Sequence, residues 1–116
     1  MTVTLYGIPT CGTVKKARKW LDERGVEYGW VDYREAPPGR EQLASWIAAF
    51  TAKPMRNTSG GAYRALGPEK KSWTDDRWLE AFAADVMLLK RPVVEIDGNP
   101  ATVGFKEPVY AELFRD

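Results

Sequence analysis

The stretch "LYGIPTCGTVKKARKWL", Leu5 to Leu21, carries the chain's single cysteine, Cys11, where a strand-like pattern gives way directly to a helical one. A thiol at or beside the first residue of a helix faces N–H groups that lack intrahelical partners. It also faces the positive end of the helix dipole, and both favour an anion. Such a thiol ionises more readily and becomes a nucleophile near neutral pH. Gly12 would let a substrate approach the backbone, and the Thr13 hydroxyl and N–H can donate to sulfur. Lys15, four residues beyond Cys11, adds positive charge on the same side of the helix. Position alone leaves two readings of Cys11, a reactive thiol or a small buried hydrophobe. A second run, "LLKRPVVEI" (Leu88 to Ile96), places Arg91 just before a proline at the mouth of an apolar strand, where a guanidinium could hold an oxyanion or a carboxylate.

Composition narrows what this thiol can be used for. The 116 residues contain one cysteine and no histidine. That excludes an internal disulfide, a zinc site of the usual N/S type, and Ser-His or Cys-His catalysis, so no metal site is expected. Any mixed disulfide formed on Cys11 must be resolved by an outside thiol. Lysine plus arginine number 17 and aspartate plus glutamate 16, a net charge of +1 that gives no argument for nucleic acid or an anionic membrane. No apolar run approaches the roughly 20 residues of a membrane span, and the chain starts without a charged leader. A lone cysteine suits a reducing compartment, so a cytoplasmic protein is expected.

The elements that must position these residues read as follows. Thr2–Gly7 alternates as a strand. From Cys11 to Arg24, Val14, Ala17, Trp20 and Leu21 form one apolar helix face, stopped by Gly25. Val26–Tyr33 alternates again, so the first third is strand, helix, strand, with the two strands parallel. Gly39–Phe50 resumes helical spacing through Leu43, Trp46, Ile47 and Phe50. A turn-rich segment and a short helix, "AYRALG", follow it. "TDDRWLEAFAADVMLL" opens with a capping residue and two acids and carries a stripe of Trp78, Leu79, Phe82, Val86 and Leu89. "VVEID" reads as a strand, "GN" as a two-residue hairpin turn, "PATVGF" as the returning strand and "KEPVYAELFRD" as a closing helix. The order β-α-β, helical block, β-β-α predicts one domain over 1–116. It would hold a four-stranded mixed sheet flanked by helices, the α/β thioredoxin-like fold. In that fold Pro92 would be cis and face the cysteine. Trp20, Trp46, Trp78, Phe82 and Leu43 are expected in the core.

The runs "YGIPTCGTVKKARKWL", "VDYRE", "NTSGGAYRALG", "LLKRPVV" and "VGF" together resemble the arsenate reductase family of thioredoxin-like proteins, nearest the branch related to Spx and the small YffB-type reductases. In the arsenate reductases the matching cysteine attacks arsenate, three arginines hold the oxyanion, and glutathione with glutaredoxin resolves the adduct. The resemblance places the nucleophile on Cys11 and one arginine on Arg91. The second arginine falls on Asn57, beside Arg56, and the third on Gly104. A pocket without those bidentate groups should bind a tetrahedral dianion poorly. Val14 stands where many Spx regulators carry the second cysteine of their C-x-x-C switch.

Three functions follow as expectations. The first is a thiol-dependent oxidoreductase in which Cys11 attacks an organic or mixed disulfide. No cofactor is bound, glutathione or an equivalent thiol is the co-substrate, and Gly12, Thr13, Lys15, Asn57, Thr58, Arg91 and Pro92 line the substrate site. The second is a glutaredoxin-coupled arsenate reductase using Arg56 and Arg64. The third is an Spx-like partner of RNA polymerase that docks through Lys15, Lys16, Arg18 and Lys19.

Overall fold

The computed structural model describes residues 1–115, so Asp116, the last residue of the expected closing helix, lies outside the described residues. Strand β1 (Val3–Gly7) leads through a short loop to helix α1 (Gly12–Glu23), which is followed by strand β2 (Gly29–Asp32). Helices α2 (Arg40–Phe50), α3 (Gly61–Arg64) and α4 (Asp75–Ala84) form the helical block. Strands β3 (Val93–Ile96) and β4 (Asn99–Val103) and helix α5 (Glu107–Leu113) complete the chain. The sheet order is β2-β1-β3-β4. The β1–β2 pair is parallel, and the β1–β3 and β3–β4 pairs are antiparallel. This is the mixed α/β sheet of the thioredoxin-like fold.

Two apolar layers cover the sheet. On one side Trp20, Leu21 and Ala17 of α1 and Tyr110 of α5 pack on Val3, Leu5 and Val94. On the other, Leu43 and Trp46 of α2 and Trp78, Ala81 and Phe82 of α4 pack with Tyr33, Met55, Leu89 and Val93. Trp20, Leu43, Trp46, Trp78 and Phe82 all lie in the core, as their spacing predicts. Close seating of α1 on the sheet depends on Gly7. A Cβ built there would come within 2.8 Å of the Val14 side chain, so glycine lets the cysteine-bearing helix settle against the end of β1.

Several boundaries differ from the sequence reading. The second strand begins at Gly29 rather than Val26, because the Val26 N–H is used in closing α1, donating to the Leu21 carbonyl at 3.0 Å. Helix α4 stops at Ala84. Asp85 leaves helical geometry and its carboxylate accepts from the Met87 N–H at 2.9 Å, starting a separate 3-10 turn over Val86–Leu88. Val86 and Leu89 are therefore outside the helical stripe. The hairpin turn is Asp97-Gly98, one residue earlier than "GN". Ile96 pairs with Asn99, and both turn residues have positive φ, 53° and 80°, as the favoured tight hairpin requires. Two further 3-10 turns, Lys53–Met55 and Pro68–Ser72, occupy the turn-rich block.

Candidate functional site

Cys11 is the N-cap residue of α1, half-buried, with its backbone extended. Its own N–H donates to the Ile8 carbonyl at 3.3 Å, and its carbonyl accepts from the Lys15 N–H at 3.0 Å, so the loop and the first helical turn fix the sulfur's position. The neutral thiol makes no cap hydrogen bond. The anion is another matter. Burial, the largest single influence, opposes ionisation. The Val14 N–H, the Arg91 guanidinium and the Thr13 N–H together outweigh it, so the thiol lies below its ordinary value. Favouring the anion is what makes a cysteine more nucleophilic than a free thiol.

Arg91 supplies the cation. It is half-buried just before Pro92, and the Arg91–Pro92 bond is cis. Its Nη1 donates to the Met87 and Leu89 carbonyls, both at 3.5 Å, the long end of hydrogen-bond distance. These contacts aim the guanidinium without using up its remaining donors. Lys15, expected beside the sulfur, is exposed and is not among the groups that favour the thiolate. The Thr13 contribution comes from its backbone, and its side chain is exposed. Gly12 is also exposed, with nothing within 4 Å of where a Cβ would stand, so the main chain beside Cys11 is open to an approaching molecule.

Asn57 is tied into the fold. Its N–H donates to the Leu88 carbonyl at 2.8 Å and its Nδ2 to the Met87 carbonyl at 3.4 Å, while its Oδ1 accepts from the Ser59 hydroxyl at 3.2 Å. Thr58 is exposed in the adjoining turn. Arg56 packs on the core, its guanidinium 4.4 Å from the Trp78 ring centroid. Arg64 donates to the Ser59 carbonyl at 2.7 Å. Gly104 has φ 84° and donates its N–H to the Pro92 carbonyl at 2.8 Å, a left-handed position at which an arginine would be strained. Cys11, Gly12 and Thr13 thus share the site with the half-buried Arg91, Pro92 is buried, and Asn57 holds the Met87–Leu88 segment that precedes Arg91.

Tyr33 supports this group from the core, although the strand pattern alone does not single it out. Its ring is fully buried, its hydroxyl donates to the Leu89 carbonyl at 3.2 Å, and burial pushes its pKa up to about 12. The signal that could have found it is its place: it directly follows β2, the strand paired alongside the cysteine strand. Among the described residues no group of three or more Cys, Asp or Glu could hold a metal ion. A concavity of about 640 Å³ at the C-terminal end of α1, lined by Trp20, Arg24, Val26 and Phe114, contains none of these residues.

A model of the ArsC family matches residues 6–113, a span that runs from the cysteine strand to the last helix. The chain belongs to the ArsC family. The Bacillus subtilis protein YusI is 41% identical over 116 residues, covering 97% of this chain and 98% of its own. An arsenate reductase of Rhizobium meliloti is 33% identical over 96 residues, which is 81% of this chain and 69% of that enzyme. Among solved structures, the YffB protein superposes with a TM-score of 0.87 at 38% identity, over 96% of this chain and 97% of its own. ArsC-family membership supports thiol-dependent reductase chemistry in general and, with it, a thiol or redox partner.

Proposed function

We propose that the protein reduces an organic or mixed disulfide, with Cys11 as the nucleophile and a small thiol such as glutathione as the reductant. The thiolate attacks one sulfur of R–S–S–R′, forming Cys11–S–S–R and releasing R′–S⁻, which takes up a proton. A thiolate of the external reductant then attacks the R sulfur and expels Cys11 as thiolate, its leaving-group ability improved by its lowered pKa. The R sulfur leaves in a new disulfide with the reductant's sulfur; where R is itself the small thiol, that product is the small thiol's own disulfide, R′ leaves as a free thiol, and Cys11 returns unchanged. Arg91 would steady the thiolate and hold a carboxylate of the small thiol, and the open backbone at Gly12 and Thr13 would receive its peptide groups. The observation that carries this reading is the meeting of the Val14 and Thr13 N–H groups with Arg91 around one half-exposed sulfur.

The test is turnover of a glutathione mixed disulfide by the wild type and by Cys11→Ser, with intact mass to trap the Cys11 adduct. Loss of turnover and of the adduct in the variant is expected, and undiminished turnover would overturn the reading.

Arsenate as substrate draws support from relatives that are arsenate reductases. The geometry argues against it, since Arg56 faces Trp78, Arg64 is engaged with the 57–60 turn and Gly104 carries no side chain. A polymerase-docking role rests on the basic face of α1. There Arg18 is already committed, its Nε donating to the Tyr28 hydroxyl at 3.0 Å and its guanidinium 4.3 Å from the Trp30 ring centroid.

A further inference from the structure

The cysteine and the arginine of the site arrive on two loops at the ends of different strands. Something must hold those loops in register, since a guanidinium displaced by an ångström loses its directional hydrogen bond to a neighbouring anion. Tyr33 spans the gap. Its N–H donates to the Gly7 carbonyl at 3.0 Å, anchoring it to the last residue of β1, from which the Cys11 loop departs. Its side chain crosses the layer to the Leu89 carbonyl, the same oxygen that accepts from Arg91 Nη1. The hydroxyl also faces the Arg91 guanidinium, which in turn faces the sulfur. The other charges nearby, Asp32 and Arg34, are paired with each other at 3.2 Å on the exposed side.

We propose that Tyr33 is the positioning residue of the site, holding Arg91 at the Cys11 sulfur by clamping the Leu89 carbonyl from the cysteine side. It touches no substrate and acts only through Arg91. This inference rests on the reading of Cys11 as the working nucleophile.

The experiment is the rate of Cys11 alkylation by iodoacetamide against pH, read by intact mass, for the wild type, Tyr33→Phe, Arg91→Ala and the double variant. Phenylalanine keeps the ring and its packing, and the thermal midpoint of each variant confirms that it is folded at the assay temperature. Tyr33→Phe is expected to raise the pH midpoint by roughly half a unit, a fall of about threefold in rate below the midpoint. In the Arg91→Ala background the same substitution is expected to move nothing. An unmoved midpoint in Tyr33→Phe, or an equal shift in both backgrounds, would overturn the inference and leave the reductase reading standing. The expected shifts without any disulfide turnover would overturn the reductase reading and leave the Tyr33–Arg91 coupling in place. A wild-type midpoint at the ordinary thiol value would overturn both.

Discussion

The indole Nε1 of Trp46 donates a 2.7 Å hydrogen bond to the carboxylate of Glu95, an acid buried in the sheet with 7% of its surface exposed. The same carboxylate accepts from Tyr6 at 3.0 Å and Gln42 at 3.2 Å. Three neutral donors, from β1 and α2, therefore converge on one β3 acid. Removing the acceptor leaves all three without it, and buried donors are costly to strand. Glu95→Ala should destabilise the fold by about 2–4 kcal/mol. Trp46→Phe should cost more than the single hydrogen bond, because Trp46 is fully buried and meets the Tyr6 ring edge-on at 5.3 Å. Urea unfolding of the two variants, followed by far-ultraviolet circular dichroism, measures both.

The lowered pKa of Cys11 makes stability depend on pH in one direction. The unfolded chain's thiol ionises at the ordinary value of 9.0, and the folded one below it. Between those two values the unfolded state holds more protons, so unfolding free energy rises with pH there. The added stability is absent below the folded pKa and complete above the unfolded one. The difference in unfolding free energy between wild type and Cys11→Ser, followed from neutral pH to above 9, should climb and then level off. A flat difference would show that the fold does not favour the thiolate.

Arg91 is the one cation whose removal should be felt at the sulfur. Arg91→Ala should lower the alkylation rate of Cys11 at neutral pH by roughly threefold to tenfold, by raising the thiol pKa. Lys15→Ala should leave the pH midpoint where it is. Equal shifts in the two variants would mean that general positive potential, rather than the aimed guanidinium, favours the thiolate.

Gly104 and Gly12 should respond in opposite ways to a methyl group. At Gly104 the backbone has φ 84° and a Cβ would come within 3.1 Å of the Lys90 side chain. Gly104→Ala should cost about 1–2 kcal/mol. At Gly12 the space is open, and alanine suits the first residue of a helix, so Gly12→Ala should leave the thermal midpoint unchanged or slightly higher. Any loss of turnover in Gly12→Ala would then report on substrate approach and not on folding.

What could be read from the chain was what short-range periodicity encodes. The apolar face of α1, the parallel β1–β2 pair and the Arg-Pro entry to β3 are local signals, and the structure has them where the residues say. Two of the misplaced boundaries share a cause, since each depends on one hydrogen bond that spacing does not encode. The Val26 N–H closing α1 and the Asp85 carboxylate starting a new turn are two such bonds. Tyr33 and Glu95 escaped for a different reason. Each sits in a strand-like alternation, and its importance comes from partners 56 and 53 residues away in the chain, Leu89 and Gln42. Lys15 is a case that spacing alone leaves open, because helical periodicity fixes its place one turn beyond Cys11 while its exposed, flexible stem decides where the charge goes.

The bridge between Arg56 and Leu89, flanked by the Asn57-to-Leu88 bond at 2.8 Å and the Lys90-to-Met55 bond at 2.7 Å, is a small ribbon separate from the four-stranded sheet. It splices the helical block onto the segment that carries Arg91. The cation of the site therefore belongs mechanically to the helices, while the sulfur belongs to the sheet and α1. Amide protons of Asn57 and Lys90 should exchange with solvent deuterium as a pair, on the clock of the helical block. Loosening the ribbon would free the Arg91 segment on its helical side and leave the Tyr33 clamp as its remaining hold.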